Sequence, residues 1–216
     1  VPKSGNAYFV MRHGEAQSNL TGEIDSIPDE KNPLTDEGRK QVAQTAETLK
    51  SKDIDLIIHS GMQRTRQTAE VVAESLGLPK DTVITDERIT ELKTGVGLEG
   101  RTWDAYEALY ENQKERFTKN IPDIENRFAV ATRAGAFLYD IVSQYQGKNI
   151  LIVGHASSTF ALRCVAEGAD LERSLQIKKE GYMKNAECVP VSFTKMPHND
   201  WYALDYHRPY IDEIEL

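Results

Sequence analysis

Arginine and histidine recur at three separated places in the chain: Arg12-His13-Gly14-Glu15, His59-Ser60 with Arg64 four residues on, and Gly154-His155. A guanidinium fork matches the oxygens of a phosphoryl group bidentately, so two arginines and two histidines in one pocket would hold such a group. A neutral imidazole has a lone pair that can attack phosphorus, and neighbouring guanidinium charges keep its pKa low enough for it to stay neutral near pH 7. One of the histidines would then carry the phosphoryl group. The leaving alkoxide needs a proton, and Glu91, which follows Arg88-Ile89-Thr90 and precedes a glycine-bearing stretch, is a carboxylate able to act first as acid and then as base for water. Chemistry of this kind calls for no cofactor and no metal.

For these residues to meet, they must stand at matching ends of neighbouring strands. Ala7 to Met11, Ile54 to Ile58 and Asn149 to Val153 are short apolar runs that read as buried strands, and each stops at one of the three charged segments. Ligands of open α/β sheets bind at the carboxyl ends of the strands. Thr35 reads as the N-cap of a helix that runs to Lys50 with Val42, Ala46 and Leu49 on one face. A second helix is expected from Met62 to Leu76, stopped by Gly77, a long amphipathic one from Arg127 to Tyr145, and one from residue 156 to about Ala166. The helix starts near 62 and 156 would add backbone N–H groups for an anion.

Val83-Ile84 reads as a shorter strand, and residues 16 to 34 as a surface loop. Residues 86 to about 125 break the alternation, with glycines at 95, 97 and 100 and a helical stretch from Trp103 to Phe117, and are expected to form a small inserted cap. Val189 to Thr194 and Trp201 to Tyr206 alternate about a polar turn and predict a hairpin. The fold class expected is α/β, a three-layer α/β/α sandwich whose mostly parallel sheet carries an antiparallel edge hairpin.

The 216 residues suit a single domain. With 26 Lys and Arg against 34 Asp and Glu the net charge is −8, which argues against nucleic-acid binding through a broad basic face, so an anionic ligand must be caught locally. No window is apolar enough for a membrane span. Cys164 and Cys188 read as buried free thiols. The opening Val1-Pro2-Lys3 shows no export signal, giving the expectation of a cytoplasmic protein, and lacks an initiator Met, giving the expectation of a chain cut from something longer.

Further motifs accompany the three charged segments: Asn19 after Arg12-His13-Gly14-Glu15, Asn32-Pro33-Leu34-Thr35-Asp36-Glu37-Gly38 at a helix start, and Arg64-Thr65-Arg66-Gln67-Thr68-Ala69. Together they make residues 6 to about 206 resemble the histidine phosphatase superfamily, the phosphoglycerate mutase-like family. The resemblance implies that His13 is the nucleophile forming a phosphohistidine. It implies that Arg12, Arg64 and His155 bind the phosphoryl group, that Glu91 is the proton donor, and that Asn19 and the Ala156 N–H are auxiliary contacts. Ser60-Gly61-Met62 and Gly154-His155-Ala156 depart from commoner family forms but leave the charged groups in place. Glu99, in Leu98-Glu99-Gly100, matches another common element; it is the rival acid and is read here as a structural or rim residue.

Arg66, Arg101 and Lys93 are read as solvated surface charge, with lining of the pocket as the alternative. His59 reads as satisfying a backbone group, and His198 as exposed in the hairpin turn. The last residues, 207 to 216, resemble a segment of class I aminoacyl-tRNA synthetases, the isoleucyl enzyme in particular, so the domain is expected either to belong to a larger synthetase chain or to carry an ordinary tail. The function expected is metal-independent hydrolysis of a small phosphomonoester through phosphohistidine. Phosphomutase activity, or a non-catalytic phosphate-binding or architectural module of a synthetase, are the alternatives.

Overall fold

Apolar runs without alternation need cover on both faces, and the architecture supplies it. The computed structural model describes residues 4–28 and 31–192. Its strands are β1 (Ala7–Arg12), β2 (Leu56–His59), β3 (Val83–Thr85), β4 (Asn149–Gly154) and β5 (Cys188–Val191). Its helices are α1 (Gln17–Thr21), α2 (Asp36–Leu49), α3 (Gln63–Leu76), α4 (Trp103–Glu107), α5 (Glu115–Thr118), α6 (Arg127–Gln144), α7 (Ala156–Glu167) and α8 (Leu171–Glu180).

The sheet order is β3-β2-β4-β1-β5, parallel throughout except for β5, which runs antiparallel to β1. One face buries Val10, Ile58, Ile150 and Ile152 against the apolar stripes of α6 and α7. The other buries Met11, Ile57, Leu151 and Val153 against Val42 and Ala46 of α2 and Ala69 and Val72 of α3. Each large side chain buried in this way contributes about 1.5–3 kcal/mol, which is what holds helices of modest propensity to the sheet. The chain is a three-layer α/β/α sandwich.

Register decides where the chemistry lies. Arg12 pairs with Gly154, and His59 with Val153, so β1, β2 and β4 end at one edge. The His13 N–H donates to the Gly154 carbonyl, 3.0 Å, which ties the residues just past β1 to the end of β4.

Gly14 and Gly38 permit a close approach that any side chain would prevent. A Cβ on Gly38 would stand 2.0 Å from the Glu15 carbonyl oxygen, and one on Gly14 would stand 2.6 Å from the Gly38 oxygen. The start of α2, capped by the Thr35 hydroxyl accepting from the Gly38 N–H at 2.9 Å, therefore presses on the turn that carries His13.

Several expectations change. β2 begins at Leu56 rather than Ile54, although Asp55 still meets Asn149, its N–H donating to the Asn149 carbonyl and its carboxylate accepting from the Asn149 N–H, each at 2.8 Å. The expected helical stretch from 103 to 117 is broken into two short helices, α4 and α5, with turns between them. Helix α1 interrupts the expected loop of 16 to 34. Helix α8 was not foreseen, although Asp170, whose side chain accepts from the Arg173 N–H at 2.7 Å, is an N-cap signal, and Lys178 and Lys179 suit a last turn. Strand β5 supplies an antiparallel edge, while the expected hairpin partner at 201 to 206, His198 and the segment 207 to 216 lie outside the described residues.

Replacing Gly38 with Ala forces backbone against backbone, so it should destabilise the fold by about 1–3 kcal/mol or more. Urea denaturation followed by circular dichroism measures this; an unchanged midpoint would show that the helix start does not depend on this contact.

Candidate active site

The first side chain past β1 is His13, and its neighbours assign its proton. Nδ1 lies 2.7 Å from the Gly14 carbonyl, which can only accept, and Nε2 lies 3.2 Å from Arg64 Nε, which can only donate. The ring is thus neutral with the proton on Nδ1 and its lone pair on Nε2. Arg64, buried in the first turn of α3, also pairs through Nη1 with the Asp25 carboxylate and through Nη2 with the Asp25 carbonyl at 3.0 Å. Arg12, the last residue of β1, is held by its Nη1 donating to the Met183 carbonyl at 2.8 Å.

His155 follows β4 as the N-cap of α7, and its ring centre is 5.2 Å from that of His13. Its Nε2 is 2.7 Å from Ser60 Oγ, which is 2.7 Å from Thr65 Oγ1, which donates to the Met62 carbonyl at 2.8 Å. With Thr65 donating onward, every contact of the chain is satisfied when Ser60 donates to Thr65 and His155 Nε2–H donates to Ser60. His155 Nδ1 is buried without a hydrogen-bond partner.

Glu91 is buried, and its Oε1 accepts from its own neighbour's N–H, Leu92, at 2.7 Å and from the Ser157 N–H at the start of α7 at 3.2 Å. Arg133 of α6 sets this carboxylate in place through the backbone: its fork donates to the carbonyls of Arg88, Thr90 and Glu91 at 2.7–2.9 Å while it pairs with Glu125 at 3.0 Å.

Burial lowers the pKa of both His13 and His155 well below the ordinary imidazole value, and Arg64 and Arg12 lower each further. Burial also lowers the two arginines, opposed at Arg12 by Glu91 and at Arg64 by Asp25 and Glu91. The site holds two neutral imidazoles beside two guanidinium ions, the state required of a lone-pair donor among anion binders.

Arg12, His13, Arg64 and Glu91 line one cavity of about 250 Å³ together with Ala156 and Ser157. Asn19 lines it too; its Oδ1 accepts from the Ala16 N–H at 2.9 Å and from Asn185 at 3.1 Å, which leaves Nδ2 as its donor. Glu99 is elsewhere, its carboxylate accepting from the Ser26 N–H and hydroxyl at 2.9–3.2 Å. His155, fully buried, is not among the residues that line the cavity, and neither are Arg66, Arg101, Lys93 or His59, whose Nδ1 accepts from the Gly61 N–H at 3.0 Å. Among the described residues no cluster of three or more His, Cys, Asp or Glu could hold a metal ion. No helix is long and apolar enough to cross a membrane among those residues either.

Sequence reasoning missed Asp25, Arg127 and Tyr182, which share the cavity, and Arg133 behind it. Arg127 had a signal: it is a cation on the apolar stripe of Val130, Ala131 and Ala134. The other three had none.

The sequence model of the histidine phosphatase superfamily, branch 1, matches residues 8–196. A protein of Escherichia coli named probable phosphoglycerate mutase GpmB is 34% identical over 162 residues, covering 73% of this chain and 71% of the relative. Among solved structures, a mycobacterial glucosyl-3-phosphoglycerate phosphatase complexed with VO3 aligns with a TM-score of 0.72 at 24% identity, covering 86% of this chain and 92% of that one. Bacillus stearothermophilus YhfR aligns with a TM-score of 0.74 at 21% identity, covering 93% and 94%.

Neutral burial of histidine sets a pH dependence. Unfolded imidazoles take up protons near 6.5, whereas His13 and His155 resist to lower pH and burial beside Arg66 brings His59 to about 4. The unfolded chain binds more protons in that window, so stability falls as pH drops below about 6.5, by up to about 1.4 kcal/mol per pH unit for each histidine. Urea midpoints from pH 7.5 to 5 should decline, and His59→Gln should make the decline shallower. An unchanged slope in that variant would contradict neutral burial of His59.

Proposed function

The chain belongs to the histidine phosphatase superfamily, and from that premise we propose that it hydrolyses a small phosphomonoester through a phosphohistidine on His13. The observation that carries this reading is the Nε2 lone pair of His13, oriented by the Gly14 carbonyl and set beside Arg64.

The incoming phosphoryl group exchanges the Asp25 carboxylate on Arg64 for one of its own oxygens. His13 Nε2 attacks phosphorus in line with the ester oxygen, the P–O bond breaks, and Glu91 delivers a proton to the leaving alkoxide. Arg12, Arg64 and the Ala156 N–H at the start of α7 carry the charge spread over the phosphoryl oxygens, assisted by Asn19. His155, held through Ser60, turns its Nδ1 to the same oxygens, and the anion's charge favours a proton there. Glu91, now ionised, takes a proton from water, which attacks the phosphohistidine and releases inorganic phosphate with His13 restored. Charge stabilisation comes from protein groups alone, so the reaction is expected to run in chelator.

Phosphoglycerate isomerisation is a second reading, favoured by the name of the Escherichia coli relative. It needs the same phosphohistidine and differs in returning the phosphoryl group to a retained product.

His13→Ala should lower turnover of p-nitrophenyl phosphate in chelator by at least about 10³-fold. Glu91→Gln should cost about 10²–10⁴-fold on an alkyl phosphate but much less on p-nitrophenyl phosphate, whose leaving group needs no proton. Trapping of a base-stable, acid-labile phosphoenzyme identifies the intermediate, and an assay of phosphoglycerate isomerisation separates the two readings. Absence of turnover across a phosphomonoester panel would leave only a non-catalytic phosphate-binding module, and turnover abolished by chelator would refute the metal-independent route.

A further inference from the structure

Arg64 lines the cavity with its fork already occupied. Nη1 donates to the Asp25 carboxylate and Nη2 to the Asp25 carbonyl at 3.0 Å, while Nε donates to the lone pair of His13 at 3.2 Å. The same Asp25 carboxylate oxygen accepts from Asn32 Nδ2, and Asn32 is itself fixed, its Oδ1 accepting from the Ser18 N–H at 3.0 Å. Arg64 is only 3% exposed, and among nearby charges that of Asp25 does most to offset the effect of burial on its guanidinium. An anionic side chain thus stands on a cation that the phosphoryl group needs.

The backbone at Asp25 is pinned on both sides. Before it, the Ile24 N–H donates to the Arg101 carbonyl at 2.7 Å and the Ile24 carbonyl accepts from the Gly100 N–H at 2.9 Å. After it, Ser26 is held by the Glu99 carboxylate and the Thr94 hydroxyl at 2.9–3.2 Å. Freeing Nη1 therefore falls to rotation of the Asp25 side chain, with the loop left where it is. The Asp25 carbonyl keeps its bond to Nη2 when the carboxylate leaves, and His13 keeps Nε, so Arg64 does not need the charge of Asp25 to stay in position.

We propose that the Asp25 carboxylate is a tethered competitor of the phosphoryl group for Arg64, which weakens the hold on inorganic phosphate and speeds its release at the end of each turnover. The assignment rests on reading the Arg12, His13 and Arg64 end as the phosphoryl site. Hydrolysis leaves phosphate against two guanidinium groups and the Ala156 N–H, charge-assisted contacts that bind product as well as substrate. A carboxylate on a short side chain with a fixed backbone has a high effective concentration at Nη1 without any free anion in solution, and it closes there as phosphate departs. Weakening substrate and product alike raises KM without slowing the chemical step, and it relieves a turnover that release would otherwise limit.

Calorimetry with inorganic phosphate and with ethylphosphonate tests this on the wild-type chain and on Asp25→Asn, Asp25→Ser and Glu23→Gln, with folding checked by circular dichroism. Asp25→Asn removes the charge and keeps an acceptor for Asn32, and Asp25→Ser serves if that variant does not fold. Both should bind either probe about tenfold or more tighter than the wild type, and phosphate should inhibit turnover of p-nitrophenyl phosphate at correspondingly lower concentration. Glu23 is another carboxylate of the cavity, but it accepts from the Thr21 hydroxyl at 3.1 Å rather than from Arg64, so Glu23→Gln should gain far less. Unchanged or weaker binding in the Asp25 variants would show that the carboxylate only holds Arg64 in place, and an equal gain in Glu23→Gln would show a general effect of charge; either result overturns the assignment. Binding is read without turnover, so a chain that shows the expected affinities but hydrolyses no phosphomonoester loses the phosphatase reading and keeps the Asp25 assignment. Phosphate binding to none of the four chains would overturn both.

Discussion

Repulsion among buried cations is the constraint on which the rest of this structure depends. Arg12 and Arg64 stay charged because guanidinium cannot shed its proton in a protein, so the two imidazoles packed with them must stay neutral. His13 and His155 achieve this with different partners. The Gly14 carbonyl holds the proton on Nδ1 of one, and the Ser60 and Thr65 hydroxyls form a relay at Nε2 of the other. The site is thereby organised for an anion whose arrival relieves the repulsion, which is how positive groups buried together at a cost to stability become useful.

That arrangement needs a frame that does not yield to it. Parallel strands whose ends lie in register bring Arg12, His59 and Gly154 to one edge, and apolar cover on both faces keeps them there. Two glycines let α2 brace the turn behind His13. Glu91 lies on an irregular segment with no strand to hold it, and the Arg133 fork takes that part by binding three carbonyls of the turn at once. The arginines that line the cavity are partnered differently: Arg64 pairs with the Asp25 carboxylate, while Arg127, enclosed by rings, donates to the Tyr182 hydroxyl.

Much of the scaffold was legible in the sequence because it is written in local patterns. Strands β1 and β4 and helices α2, α3, α6 and α7 lie within a residue or two of where apolar spacing and caps put them. Helix α8 is hard to read in the sequence because Leu171, Leu175 and Ile177 make a thin apolar stripe among charged residues. Glu99 and Glu91 looked alike as carboxylates near glycines. Only their partners separate them, since Glu99 spends its oxygens on Ser26, 73 residues away, and Glu91 faces the cavity.

The sequence by itself determined that cationic and nucleophilic side chains stand at the ends of three buried strands, because strand, turn and helix start are each decided over a few neighbouring residues. It determined the layered α/β class for the same reason. Tertiary structure alone decided which proton His13 holds, that Asp25 pairs with Arg64, that Arg133 supports Glu91, and that Arg127 opens onto the same cavity as His13. Those outcomes depend on distances between residues dozens of positions apart, and such distances exist only once the sheet has set its register and the helices have packed upon it.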